Sequence, residues 1–221
     1  MTRRMIPLIL LPLGLLAGCL PQDQGHQPPR PRQQARAYAP SPAGAQCMAD
    51  LHQRQAGFAP LPDAYYGGGC ATINTVRLLS LHGDTDALAV SNLGPVTCPL
   101  ADAFAGWARY GVDRAARLAL GSPLARIETM GSYNCRNIAG SDHRSAHATA
   151  DAIDVSGFVL ADGRHISVLS QWSAGTAEER YFLRLVHTSA CKRFGTVLGP
   201  DYNPAHRNHF HLELSAAGFC R

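Results

Sequence analysis

The chain has 221 residues, enough for one domain of ordinary size plus appendages. Apolar residues make up 46% and charged residues only 16%, which excludes wholesale disorder and leaves material for a core. The formal charge is +4, and Arg3 and Arg4 account for two of these charges in a segment expected to be removed, so the positive excess is too small to call for a nucleic-acid partner.

In chain order, residues 1–18 read as a secretory leader. Arg3 and Arg4 give a basic start, and Ile6 to Leu16 is apolar but short for a bilayer span. The run ends in Leu16-Ala17-Gly18-Cys19, which resembles a bacterial lipoprotein signal. That predicts cleavage before Cys19 and acylation of its thiol, with two or three acyl chains holding the protein to a membrane. Leu20 after the cysteine is compatible with outer-membrane sorting. The expected location is therefore the bacterial cell envelope, lipid-anchored and facing the periplasm. After Cys19, residues up to 45 form a linker in which Pro21, Pro28, Pro29, Pro31, Pro40 and Pro42 alternate with glutamines and arginines. With so little to bury it stays extended, at about 3.1 Å per residue where polyproline-like.

Residues 46–221 read as the folded domain. A helix is expected over 47–56, stopped by Gly57. Pro60, Pro62 and Gly67-Gly68-Gly69 mark loop, and strands follow at 72–81 and 87–91 around the Gly83-Asp84 turn. From Pro99 to Tyr110 the pattern is helical, with Leu100, Phe104 and Trp107 on one face and Thr97 as the cap. A second helical piece over 112–120 ends at Gly121. A strand over 126–132 leads into a loop holding Tyr133, Cys135 and Arg136, and a central strand spans 151–160. Asp162-Gly163 turns the chain into a strand at 164–169. Thr176-Ala177-Glu178-Glu179 is a capping box opening a helix to about Arg193, with Phe182, Leu185 and Val186 inward. A short strand over 195–198, a loop over 200–204 and a last strand over 208–214 complete the chain. Strands and helices do not alternate regularly, so the expected class is α+β: one domain with a small antiparallel sheet flanked by helices.

Seven cysteines are present, and none pairs at C-x-x-C spacing. With Cys19 set aside, six remain, which in an exported chain reads as three disulfides. Fifteen pairings are open. Sequential pairing is the expectation here: Cys47 with Cys70, Cys98 with Cys135, Cys191 with Cys220.

Two stretches carry chemistry. Ser145 to Asp154 sets His147 seven positions before Asp154, and Asp154 lies in the apolar run Ala152-Ile153-Asp154-Val155. His209-Phe210-His211-Leu212-Glu213-Leu214 alternates strictly, so His209, His211 and Glu213 share one face of a strand. If the two strands lie side by side with polar faces together, His147, Asp154 and His211 converge. Two imidazoles, a carboxylate and an open position are the ligand set of a catalytic zinc. His26, His52, His82, His143, His165 and His187 read as surface or structural. No G-x-S-x-G, P-loop or Rossmann glycine pattern is present.

Ser145-x-His147-x-x-Ala150-x-Ala152-x-Asp154 with His209-x-His211 resembles the zinc core of the lysostaphin, D-Ala-D-Ala metallopeptidase and hedgehog group. Met130-Gly131-Ser132-Tyr133-Asn134-Cys135-Arg136 resembles the S-G-Y-R piece upstream of that core. More closely, the stretch from Cys47 to the C-terminus resembles the bacterial extensin-like C-terminal domain family. The marks are Gly131-Ser132-Tyr133-x-Cys135-Arg136, the His147 to Asp154 block, Phe182-Leu183-Arg184, Ala190-Cys191, Val197-Leu198-Gly199-Pro200 and His206-x-x-His209-Phe210-His211. The zinc-core resemblance implies one zinc on His147, Asp154 and His211, with His209 or His206 handling a proton and Arg136 facing a substrate carboxylate or an oxyanion. It implies a zinc-dependent peptidase or amidase acting on peptidoglycan peptides; the alternative is a non-catalytic wall-binding or structural module on the same fold. Two residues depart from the pattern. Ala150 stands where the peptidases usually have glycine, and Asn208 stands where the D-Ala-D-Ala enzymes carry a glutamate base. Asparagine takes up no proton, so that task falls to His209 or His206.

Overall fold

The strict alternation of the last long strand is realised deep inside a mixed sheet. The computed structural model describes residues 40–221; the expected leader over 1–18, Cys19 and the part of the expected linker up to residue 39 lie outside the described residues. The first half runs α1 (Pro42–Gln53), β1 (Gly57–Pro60), β2 (Ala64–Gly67), β3 (Cys70–Thr72), β4 (Thr75–His82), β5 (Ala87–Ser91), β6 (Pro95–Thr97) and α2 (Cys98–Trp107). A π-helical turn (Ala108–Asp113) leads into α3 (Arg114–Leu120) and β7 (Leu124–Gly131). A 3-10 turn (Ala146–Thr149) then precedes β8 (Ala152–Leu160), β9 (His165–Ser167), α4 (Val168–Ala174) and α5 (Ala177–Cys191). The chain closes with β10 (Thr196–Leu198), a second 3-10 turn (Pro204–His206), β11 (Phe210–Glu213) and β12 (Phe219–Cys220).

The class is α+β, as expected, but the sheet is larger than the small antiparallel one the sequence suggested. Ten strands share it in the order β1-β4-β5-β7-β8-β11-β10-β12, with β6 beside β4 and β9 beside β8. The pairs β5–β7 and β10–β12 are parallel and the others antiparallel. β2 and β3 form a separate hairpin. The strands missing from the sequence reading are β1, β2, β3, β6 and β12, each two to four residues long, and Pro60 and Gly67-Gly68-Gly69, in or beside the first three, read as loop.

Behind the sheet lies the core, where Trp107 meets Phe104, Phe158 and Phe194 at ring distances of 5.6 to 6.2 Å. Its indole N–H donates to the Val186 carbonyl of α5 (3.3 Å), so the buried polar end is satisfied. The two helices expected over 99–110 and 112–120 are one continuous run through the π-helical turn. Glycine at 111 permits this, since a Cβ there would collide with Ser189 Oγ and Trp107 Cδ1. Asp113, wholly buried in that turn, accepts from Leu124 N (2.9 Å), Asp84 N (3.0 Å) and Arg117 Nε (3.0 Å). Those bonds are what a buried carboxylate requires. Thr176 and Glu179 form the expected capping box of α5. The strand expected to 169 stops at 167, because Ser167 caps α4 through a bond from Ser170 N. Thr97 stands at the N-terminus of α2 without a side-chain cap bond; its hydroxyl donates to Asp151 Oδ1 instead (2.7 Å).

Cysteine pairing departs from the sequential expectation. The bonds are Cys47–Cys98, Cys70–Cys135 and Cys191–Cys220, with Cα separations of 6.1, 5.5 and 5.7 Å. Cys47–Cys70 and Cys98–Cys135 are therefore wrong. α1 packs on the start of α2, which brings Cys47 to Cys98, while the β2–β3 hairpin packs against the loop after β7, which brings Cys70 to Cys135. The two long-range bonds close loops of 51 and 65 residues, each contributing about 4 kcal/mol by restricting the unfolded chain.

Candidate metal centre

β8 and β11 pair antiparallel, with Asp154 opposite His211 and with Ile153 and Val155 opposite Leu212 and Phe210. Directly opposed residues share a face. This register sends the apolar pairs into the core and leaves the carboxylate and imidazole together. The third group arrives from the turn before β8. Ser145 Oγ accepts from His147 N (3.4 Å) and opens the 3-10 turn, which ends at Ala150 in the left-handed region (φ 58°, ψ 27°). Glycine is the unstrained choice there, so alanine costs about 1–2 kcal/mol, carried by the packing around a fully buried methyl group.

The side chains close a triangle. His147 Nε2 lies 3.2 Å from Asp154 Oδ2 and 3.2 Å from His211 Nδ1, and His211 Nδ1 lies 3.0 Å from Asp154 Oδ1. A tetrahedral ion with bonds of about 2.0–2.1 Å has ligand-to-ligand edges of about 3.3 Å. The outer nitrogens are both occupied: His147 Nδ1–H donates to the Ser132 carbonyl (2.8 Å), and His211 Nε2 faces Glu213 Oε2 (3.3 Å). With protons on those outer nitrogens, the three inner atoms are all lone-pair donors. Three acceptors this close repel one another unless something positive lies between them, so the residues fit a cation. Ser132 is itself fixed, its hydroxyl donating to the carbonyls of Leu93 and Pro95.

The local charges follow from this packing. Burial pushes the Asp154 carboxyl up, but hydrogen bonds from His147 and His211 and the neighbouring histidine charges outweigh it and hold Asp154 well below the usual carboxylate range. Burial opposes charge on His211, yet Asp154 and Glu213 raise it to about 9. His206 is pushed down to about 4 by burial, with His209 and His211 adding to the effect. Burial also lowers His209, whose Nε2 lies 3.5 Å from Asp154 Oδ1.

A cavity of about 610 Å³ opens beside the triangle, its lining including Asp154, His206, His209, His211 and Glu213 together with the apolar Ile138, Leu198, Tyr202 and Phe219. A smaller cleft of about 70 Å³ reaches His147 and Asp154 from the side of Tyr133 and Asn134. Arg136 lines both. Its guanidinium meets only the Asn137 carbonyl (3.3 Å) and forms no ion pair among the described residues.

Each site residue read from the sequence thus has a place: His147, Asp154 and His211 at the triangle, His206 and His209 beside it, Arg136 on the rim. Cys19 lies outside the described residues. Asp151 faces away, toward Thr97. His187 packs between Trp172 and Phe210. Ser132 and Glu213, which meet the outer imidazole nitrogens, are not among the site residues read from the sequence. Glu213 alone carried a visible signal, since it sits two residues after His211 on the same strand face. A second cluster of metal-type side chains, His187, Cys191 and Cys220, has both sulfurs tied in a disulfide.

No curated protein and no solved structure gives a match to this sequence. The family model described as "Extensin-like protein C-terminus" matches residues 45–221, a span that includes the triangle, the histidine pair and all three disulfides. The chain therefore belongs to the extensin-like C-terminal family.

Proposed function

We propose that this extensin-like domain is a zinc-dependent peptidase or amidase acting on peptidoglycan peptides. The observation that carries the reading is the triangle of His147 Nε2, His211 Nδ1 and Asp154, with edges of 3.0–3.2 Å beside an open cavity. His147, Asp154 and His211 would hold the ion; when bound, zinc supplies Lewis-acid polarisation of a carbonyl and acidification of water. Asp154 leaves the site less positive, while Glu213 and the Ser132 carbonyl keep the two imidazoles turned inward. His206 and His209, whose charged forms burial disfavours, are the groups able to take and return a proton. Their rings lie 5.1 Å apart on the cavity wall. The unpaired Arg136 is placed to meet a substrate carboxylate or the developing oxyanion. The apolar wall of Ile138, Leu198, Tyr202 and Phe219 limits water around the scissile bond.

In this reading the protein is an envelope lipoprotein. Acylated Cys19 holds the membrane, and the proline-rich segment lets the domain reach the wall. The test is metal analysis of the purified full chain followed by digestion of muropeptides by wild type and His209→Ala. Stoichiometric zinc with product that disappears in the variant is the expected result. Stoichiometric zinc without product from the wild type favours the wall-binding module, and no metal uptake removes both.

A further inference from the structure

Asn203 opens the 3-10 turn Pro204–His206, and its Oδ1 accepts backbone N–H bonds from Ala205 (3.0 Å) and His206 (3.3 Å). Two backbone donors on one side-chain atom identify that atom as the carbonyl oxygen, because an amide nitrogen has no lone pair to offer them. The same oxygen lies 2.8 Å from Nδ1 of His206. An amide oxygen only accepts, so Nδ1 carries the proton. On a neutral imidazole the lone pair then sits on Nε2, on the far side of the ring from Asn203. His209 has a similar neighbour in a different setting, since its Nε2 lies 3.5 Å from Asp154 Oδ1. Its Nδ1 lies 2.9 Å from Asn208 Oδ1, and the Asn208 amide nitrogen is turned toward the Met130 sulfur, a weak acceptor, at 3.9 Å.

We propose that Asn203 is a positioning residue: it selects the Nδ1–H tautomer of His206 and so presents Nε2 to the cavity as a proton acceptor. A neutral histidine free in water carries its proton mainly on Nε2, which would offer the cavity a donor where hydrolysis needs an acceptor. The inference rests on the hydrolase reading above. The step balances without another reactant. The proton leaving water goes to Nε2 as the new C–O bond forms, and it passes to the amide nitrogen as the C–N bond breaks. The imidazolium formed in between keeps its Nδ1–H on Asn203.

The test uses ¹⁵N–¹H multiple-bond spectra of the labelled full chain without added metal, at a pH where the ring is neutral, together with muropeptide kinetics of the zinc-loaded protein. Wild-type His206 is expected to show a protonated Nδ1 and an unprotonated Nε2. Asn203→Ser keeps a capping oxygen for the turn but does not reach the ring as well. It should shift His206 toward Nε2–H and lower kcat about tenfold to a hundredfold, with KM within about twofold of wild type. Asn203→Asp retains both the cap and the acceptor and should restore the Nδ1–H form and most of kcat. An unprotonated Nδ1 in the wild type, or a His206 spectrum unchanged in a folded Asn203→Ser, overturns the proposal. Absence of cleavage by the wild type sinks the hydrolase reading and the catalytic consequence with it, while the spectra decide the tautomer by themselves.

Discussion

Among the described residues, two clusters bring three metal-type side chains within 4.8 Å: His147, Asp154 and His211, and His187, Cys191 and Cys220. By residue type the cysteine-containing cluster is the better ligand set, since thiolates grip soft ions strongly. It is closed because each sulfur has spent its reactive pair on the other, and His187 Nε2 is turned to the Arg221 carbonyl. The histidine–aspartate triangle is open because its two outer imidazole nitrogens are held by Ser132 and Glu213 while the inner ones keep their lone pairs. Proximity of ligand-type residues is therefore insufficient. The partners on the far side of each ring decide whether a cluster can bind.

That contrast can be broken most severely by removing a ligand. Asp154→Ala or His147→Ala should lower zinc affinity by more than the hundredfold that outer-shell changes reach, measured by competition with a chelator of known affinity. Occupancy equal to wild type in both would mean that the ligands are wrongly assigned. The covalent cluster should respond in the opposite way. Cys191→Ser with Cys220→Ser should cost about 3–4 kcal/mol in denaturant unfolding, yet leave zinc stoichiometry at the triangle untouched.

Acidity separates the two clusters as well. In metal-free protein the His211 pKa is raised to about 9, so its bond to Asp154 stabilises the fold fully below about pH 6.5 and is lost as pH rises toward 9. Asp154 is shifted down, so its share is present above the ordinary carboxylate value of about 3.9 and disappears as pH falls below that. Thermal melts in chelator should therefore lose on the order of 3 kcal/mol between about pH 6.5 and 9. Zinc should reverse this trend, because it displaces the His211 proton and binds more tightly as pH rises. A chelated melt that is flat across this range would contradict the pairing of His211 with Asp154.

Smaller effects should come from the supports. Glu213→Gln should weaken zinc about tenfold to a hundredfold by loosening the outer nitrogen of His211. His209→Ala should change zinc affinity least, by under about tenfold, because His209 touches the triangle only through Asp154 at 3.5 Å. A loss as large as that of Asp154→Ala would make His209 a ligand and reorganise the assignment.

The long alternating or 3.6-periodic segments were readable without the fold: β8, β11, the α2–α3 run and α5 with its capping box. The short strands β1, β2, β3, β6 and β12 were hidden, although β9, β10 and β11 of similar length were not; α4 was hidden too, because Ser167 caps it at the end of a run that reads as strand. At the site, residue type and spacing named His147, Asp154 and His211. The supports escaped because Ser132 acts through its backbone carbonyl, and Asn203 meets the nitrogen of a neighbouring ring. Neither role leaves a mark on residue type.

By itself, then, the sequence determined the period-two faces of the two site strands, the even cysteine count of the folded part and the residue types of a metal site, since each of these is local. Tertiary structure decided the rest. Packing of α1 on α2 and of the β2–β3 hairpin on the loop after β7 chose the partners of Cys47 and Cys70. The β8–β11 register chose the residue opposite Asp154. The hydrogen bond from His147 Nδ1 to the distant Ser132 carbonyl chose which nitrogen of that ring faces Asp154. These are questions of which atoms meet across long stretches of chain, and no local pattern encodes such meetings.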